Sequence, residues 1–167
     1  GIVKDIPKSK NYHLIKPRKV IGNSWDFTHE TIMKKIQQGY FDTMVYLGRY
    51  QGIDYTFDLD MEKLKEASIP NEENMVKLCK VMGLPTLKGK ENFYMYILPA
   101  IGKILKLKFP SYEEILIDLI EHYLKENHYP EDILYEDNII DLIKVKKAKF
   151  STSYSQILNN IISIIFE

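Results

Sequence analysis

A chain of 167 residues with 45% hydrophobic and 28% charged residues has the size and make-up of one compact domain with a sizeable core, which excludes an intrinsically disordered chain. Its 23 basic and 23 acidic residues cancel, which excludes the non-specific grip on nucleic acid or anionic membrane that a large positive surplus gives. No apolar run approaches the ~18 residues needed to span a bilayer, and the single cysteine, Cys79, excludes an internal disulfide and a cysteine-built zinc site within one chain.

Residues 1–24 hold Pro7 and Pro17 among scattered lysines and read as an extended basic arm, with at most a short strand near residues 18–22. Lys4, Lys8, Lys10, Lys16, Arg18 and Lys19 stand there against Asp5. Such an arm is either a solvated leader or a segment that contacts phosphates. Residues 25–67 read as a helix followed by a β-hairpin. The helix is capped by Asp26 or Thr28, carries Glu30 in its first turn and an apolar stripe of Ile32, Met33 and Ile36, and ends at Gly39; Trp25 packs back on it as a staple. The stretch "DTMVYLGRYQGIDYTFDLD" alternates with a period of two around a turn at Gly52, which is the pattern of a hairpin. Tyr55, Phe57 and Leu59 then share the dry face, and Thr56, Asp58 and Asp60 the wet one.

Residues 68–167 read as a helical bundle of five or six short helices. A first short helix, begun by Asp60, leads into it. Asn71 caps the next, Met75, Leu78, Cys79 and Met82 form its stripe, and Gly83 and Pro85 stop it; Cys79 is accordingly a buried, inert thiol. Pro99 sits inside the apolar run "KENFYMYILPAIGKILKLKF" and predicts a kink or two helices there. Ser111 with Glu114, and Ser153 with Gln156, form capping boxes. Pro130 opens a helix that runs to the lysines at 144–149. The fold class is α+β, mainly α: arm, helix and hairpin packed on a C-terminal bundle, in one compact domain. The chain begins at Gly1 with no leader pattern, and reads as a processed chain or fragment of a longer intracellular protein. Abundant Lys, Ile, Asn and Tyr with only two arginines, Arg18 and Arg49, points to a low-GC genome.

The acids of "DYTFDLDMEKL" are the chemically suggestive cluster. Asp58 and Asp60 fall on one face at a strand's end, where paired carboxylates can hold a divalent cation. The string Phe57-Asp58-Leu59-Asp60 resembles the first motif of haloacid-dehalogenase-like phosphatases, a resemblance that implies Asp58 as nucleophile and Asp60 as acid–base. Met61-Glu62 stands where that family has Gly-Thr, and no later strands bear its remaining motifs. Asp54 followed by Asp60-x-Glu62, with Glu30 in addition, echoes metal-dependent nucleases. A hydrolase of either kind would use the Asp54, Asp58, Asp60 and Glu62 cluster, with Asp58, Asp60 and Glu62 as ligands to Mg2+ or Mn2+. The alternative is the wet face of a hairpin with Asp60 as a helix cap, and that reading is preferred.

No nucleophile elbow, phosphate-binding glycine loop or dinucleotide fingerprint occurs, and the four histidines lie in separate segments without ligand spacing. The other excess is aromatic: 12 Tyr and 7 Phe, with Phe93, Tyr94 and Tyr96 clustered beside Met95. Tyrosine is amphipathic and frequent at interfaces. The leading expectation is therefore a non-enzymatic, cofactor-free accessory domain that binds a protein partner through Phe93, Tyr94 and Tyr96. Nucleic acid is a second class of partner, contacted by Lys16, Arg18, Lys19, Lys144, Lys146, Lys147 and Lys149. Self-association stays open, and no membrane is expected.

Overall fold

The computed structural model describes residues 13–107, 111–145 and 153–167. It is an α+β fold, mainly α. The elements run α1 (His29–Tyr46), β1 (Thr56–Asp58), α2 (Met61–Ala67), α3 (Glu72–Val81), α4 (Lys90–Asn92), a π-helical turn (Phe93–Ile97), α5 (Leu98–Ile104), α6 (Tyr112–Glu126), β2 (Leu134–Glu136), α7 (Ile139–Val145) and α8 (Ser153–Phe166). No helix among the described residues is long and apolar enough to cross a membrane.

The helices start and stop where local chemistry dictates. Asp60 caps α2, accepting the amides of Glu62 and Lys63; Asn71 caps α3 and Ser111 caps α6, each accepting the amide three residues on. Glu114 closes the box on Ser111 by accepting its hydroxyl at 2.8 Å. Gly83 ends α3 with φ +65°, as its position predicts. α8 is described from Ser153 itself, so Ser153 lies within the helix and not ahead of it, as the expected capping box with Gln156 requires. Pro99 is resolved by a π turn: α4, the π segment and α5 run into one another, and the widened turn lies just ahead of the residue that has no N–H to give.

The core is one cluster. Buried residues of β1, α2, α3, the π turn, α5, α6, β2, α7 and α8 form it, from Tyr55 and Phe57 through to Phe166. α6 lies at its centre, packed on α5 and α8, and α8 also meets α3 and α7. Fully covered side chains such as Leu78, Phe93, Leu116, Leu119 and Leu158 hold it together, each contributing roughly 1.5–3 kcal/mol by burial. Cys79 is among the buried residues, as its helical stripe implies.

Several expectations fail. There is no β-hairpin before β1, because α1 does not stop at Gly39. A Cβ on Gly39 would meet nothing within 4 Å, so the glycine faces open space and merely weakens the helix by about 1 kcal/mol. α1 instead ends in a Schellman motif at Gly48: the Gly48 amide donates to Val45 O, and Arg49 to Met44 O, each at 2.9 Å. β1 pairs not with a preceding strand but in parallel with β2, Thr56 opposite Leu134, Phe57 opposite Tyr135 and Asp58 opposite Glu136. The predicted helix from Pro130 is thereby split, its first part giving β2 and its second α7. Residues 18–22 form no strand, and Trp25 is 82% exposed and does not staple α1.

Candidate functional site

The geometry of greatest interest surrounds the loop that joins α1 to β1. Gln51 and Phe57 close it with a reciprocal pair of backbone hydrogen bonds, both 2.9 Å, and Gly52 at its start adopts φ +108°. A Cβ there would lie 2.3 Å from Tyr55 O and 2.8 Å from Glu121 Oε1, so only glycine fits. A closed loop of this kind strands its own amides and carbonyls, and two distant side chains serve them. Arg18 Nη1 donates to the carbonyls of Gly52, Ile53 and Tyr55 at 3.0–3.4 Å, and its Nη2 donates to Thr56 Oγ1 at 2.8 Å. Glu121 Oε1 accepts the amides of Ile53 at 2.6 Å and Tyr55 at 3.1 Å.

Arg18 is also tied to α1. Its Nε donates to Asp42 Oδ1 at 2.6 Å, and the two side chains are only 16% and 4% exposed. Gln38 supplies Asp42 Oδ1 with a second donor at 2.6 Å. Arg18 was expected to contact nucleic acid; it is instead spent inside its own fold, where the planar fork of an arginine is needed to reach so many acceptors. Lys19 is likewise engaged, with Glu131 and over the Tyr55 ring. Lys16 and Lys144 are exposed. Lys146, Lys147 and Lys149, with Lys4, Lys8 and Lys10 of the arm, lie outside the described residues.

The acids that are neighbours in sequence disperse. Asp54 lies 3.6 Å from Lys125, Glu62 pairs with Lys65 at 3.1 Å, and Asp60 Oδ1 is committed to the first amides of α2. Asp58 is exposed on β1 beside Glu136, and the Asp60 amide donates to Asp137 Oδ1 at 2.9 Å. Asp58, Asp60, Glu136 and Asp137 thus rim an open groove with Lys63, 3.6 Å from Asp137 Oδ2. Among the described residues no group of three or more His, Cys, Asp or Glu side chains is placed to hold a metal ion, so Asp58, Asp60 and Glu62 do not form the ligand set that Mg2+ or Mn2+ would need. Among the described residues β1 pairs in a sheet of two strands only, without the later strands that would carry the remaining phosphatase motifs.

The aromatic cluster divides as well. Phe93 is wholly buried and unavailable to a partner. Tyr94 is half-buried, donates its hydroxyl to Lys65 O at 3.0 Å, and is pushed to higher pKa by burial. Only Met95 and Tyr96 face outward. The π turn, which points Phe93 and Ile97 into the core, decides this division.

Two features escaped sequence reasoning. One is the outward face of α1. At about 100° per residue, Ile32, Met33, Ile36, Tyr40 and Leu47 fall on one side of the helix and Gln38, Phe41 and Asp42 on the other. Phe41 and Asp42 are the buried pair; the apolar stripe is exposed, with Ile36 at 61%. The stripe was visible in the sequence, but its direction is set by the Arg18–Asp42 link. The other is the buried carboxylate of Glu121, which lines a cavity with Asp118, Ile53 and Ile117. Burial raises its pKa, with Asp54 and Asp118 adding to the rise and the two amide bonds opposing it. Beside it the His122 pKa is raised, chiefly by its hydrogen bond to Asp118.

Comparison of the chain with models of protein families, with characterised proteins and with solved structures finds no match.

Proposed function

We propose that this chain is a non-enzymatic interaction domain that docks a protein partner on the outward stripe of α1. The observation that carries the reading is the orientation of that helix. Ile32, Met33, Ile36 and Tyr40 are all exposed at helical spacing, and Trp25 and Phe27 extend the apolar surface beyond its N-terminus. Single exposed apolar residues are ordinary, but a continuous stripe marks an interaction surface. Met33, Ile36 and Tyr40 stand at i, i+3 and i+7, and Ile32 lies one turn before Ile36, the kind of spacing by which helices are recognised in grooves. Tyr40 supplies the rigid aromatic anchor on which such interfaces concentrate their binding energy.

This reading keeps the protein-binding expectation and moves it from Phe93, Tyr94 and Tyr96 to α1. Contact with nucleic acid has less behind it, because Arg18 and Lys19 are turned to internal partners. Metal-dependent phosphoester hydrolysis has no assembled ligand set among the described residues.

The test is site-specific photo-cross-linking from position 36 in cells that express the chain, with position 88 as an exposed control. One discrete protein adduct from position 36, lost when Met33 and Tyr40 are changed to Glu, supports the reading. An adduct with a second copy of the chain would name self-association as the interaction. No discrete adduct, or the same adducts from both positions, would remove it.

A further inference from the structure

Between the loop after α1 and helix α6 lies a cavity of about 410 Å3. That volume falls within the ~300–1,000 Å3 of small-molecule sites. Tyr50, Ile53, Met61 and Ile117 provide apolar walls, Glu113, Glu114, Asp118 and Glu121 provide carboxylates, and no described lysine or arginine lines it. Glu121 is 5% exposed. Its Oε1 is committed to the Ile53 and Tyr55 amides. Its Oε2 has no hydrogen bond or ion pair with any described residue, while no fully covered polar side-chain atom among them lacks a partner. Oε2 is therefore not fully covered, on a residue that is otherwise buried and lines the cavity.

The neighbouring charges do not satisfy it. Lys125 is placed against Asp54, His122 against Asp118, and Lys65 against Glu113 at the cavity rim. The Glu121 carboxylate thus keeps one oxygen free to accept a donor, in a site that its residue otherwise closes off. An anion would be repelled by this lining, and a neutral apolar ligand would leave Oε2 unpaired. A divalent metal needs more oxygen ligands than are assembled here.

We propose that this cavity binds an organic cation, a primary ammonium or guanidinium on a short apolar stem. The charged head meets Glu121 Oε2 in the field of Asp118, and the stem lies against Tyr50, Ile53 and Ile117. The same head group is carried by free amines and by the Lys or Arg side chains of peptides, and the chemistry of the cavity is shared by both.

The experiment is an NMR titration of the isotope-labelled chain with agmatine and with acetyl-Gly-Arg-Gly-amide. Native protein is expected to show saturable shifts at Ile53, Met61 and Ile117. Glu121→Gln keeps an acceptor for the two loop amides and removes the charge, so it should weaken binding at least tenfold with the remaining spectrum unchanged. Asp118→Asn provides a second variant that leaves Glu121 in place, and it should weaken binding to a smaller degree. The tighter of the two probes tells whether the natural cation is free or borne on a peptide. Absence of saturation with both probes, shifts spread over surface acids, or affinity unchanged in both variants would overturn the proposal.

Discussion

Arg18 and Glu121 serve complementary halves of one loop: the guanidinium takes the carbonyls of Gly52, Ile53 and Tyr55, and the carboxylate takes the amides of Ile53 and Tyr55. Arg18 is in addition the link from this loop to α1 through Asp42. Changing it to Ala leaves a buried carboxylate with Gln38 as its remaining side-chain donor, the situation in which broken pairs cost about 3–5 kcal/mol. Arg18→Lys restores a charge without the fork and should recover only part of that. Urea denaturation of both variants reads the difference, and an Ala variant within about 1 kcal/mol of the native chain would contradict the clamp.

Gly52 is the loop's steric limit. Gly52→Ala forces a Cβ against Tyr55 O and Glu121 Oε1 at a backbone angle that side chains avoid. We expect a loss of about 2 kcal/mol or more, by the strain and overpacking that make such substitutions costly. For a chain of this size that lowers Tm by roughly 4–8 °C. The neighbouring Gly48 has φ +69° but open space around it, so Gly48→Asn should cost far less.

Glu121 sets a pH dependence whose sign follows from its raised pKa. The folded state holds the Glu121 proton more tightly than the unfolded chain does, so stability is lost as pH rises from the ordinary glutamate value of 4.5 through the folded pKa. Above that the loss is constant. Glu121→Gln removes this contribution while Oε1 still accepts the loop amides. The Tm of the variant minus that of the native chain should therefore grow as pH rises through this window and then level off. Asp54, Asp118 and His122 face the same region and are kept in both proteins, so the difference between the two curves reports what Glu121 adds. A difference that is flat or falls with pH would refute the assignment.

The outward stripe of α1 should be inert toward folding. Ile36→Lys is expected to change stability by no more than about 0.5 kcal/mol, as for other exposed positions. Leu158→Ala, in the packed face of α8, should cost about 2–5 kcal/mol. If Ile36→Lys destabilised the chain as much as Leu158→Ala, the stripe would be core and the docking proposal would lose its basis.

The acids at the start of α2 should behave as capping and surface groups. Asp60→Ala is expected to cost about 1 kcal/mol, Asp60→Asn much less, because asparagine caps as well as aspartate. Asp58→Asn should be close to neutral. Manganese or magnesium should shift the Tm of the native chain no more than that of Asp58→Asn. A shift seen only in the native chain would bring back the metal-site reading.

Where sequence and structure agree, the determinants are local. Asp60, Asn71 and Ser111 cap the helices they precede because a cap needs only a side chain and the next few amides. The stripe of Met75, Leu78 and Cys79 is buried because an amphipathic helix of that length has one dry side. Where they part, the determinant is distant. Met44 and Tyr46 alternate with Val45 and Leu47 like a strand, yet they complete a helix whose last turn is closed by Gly48. Leu134 and Tyr135 carry no signal that β1 will be their partner, since parallel pairing is set by the helices packed between. Asp58 and Asp60 had looked like partners by spacing alone; the pairing instead sets Asp58 beside Glu136 and Asp60 beside Asp137. Glu121 was one acid among several on α6, and only the arrival of the loop over it makes it unusual.

The parallel pairing of β1 with β2 has a kinetic consequence. α2, α3, the π-containing helix and α6 all intervene in the chain between the two strands. The entropy of closing so long a loop has to be recovered from other contacts, so we expect the ladder to assemble after those helices have packed. The loop at 52–56 leans on β1 and on Arg18, and it belongs to the same late event. Native-state hydrogen exchange should then find the amides of Ile53, Tyr55 and Phe57 released by partial openings, while those of α6 and α8 exchange only on global unfolding. The cavity at Glu121 is walled on one side by that loop and on the other by the central helix, so partial openings of the loop would give a guest a way in.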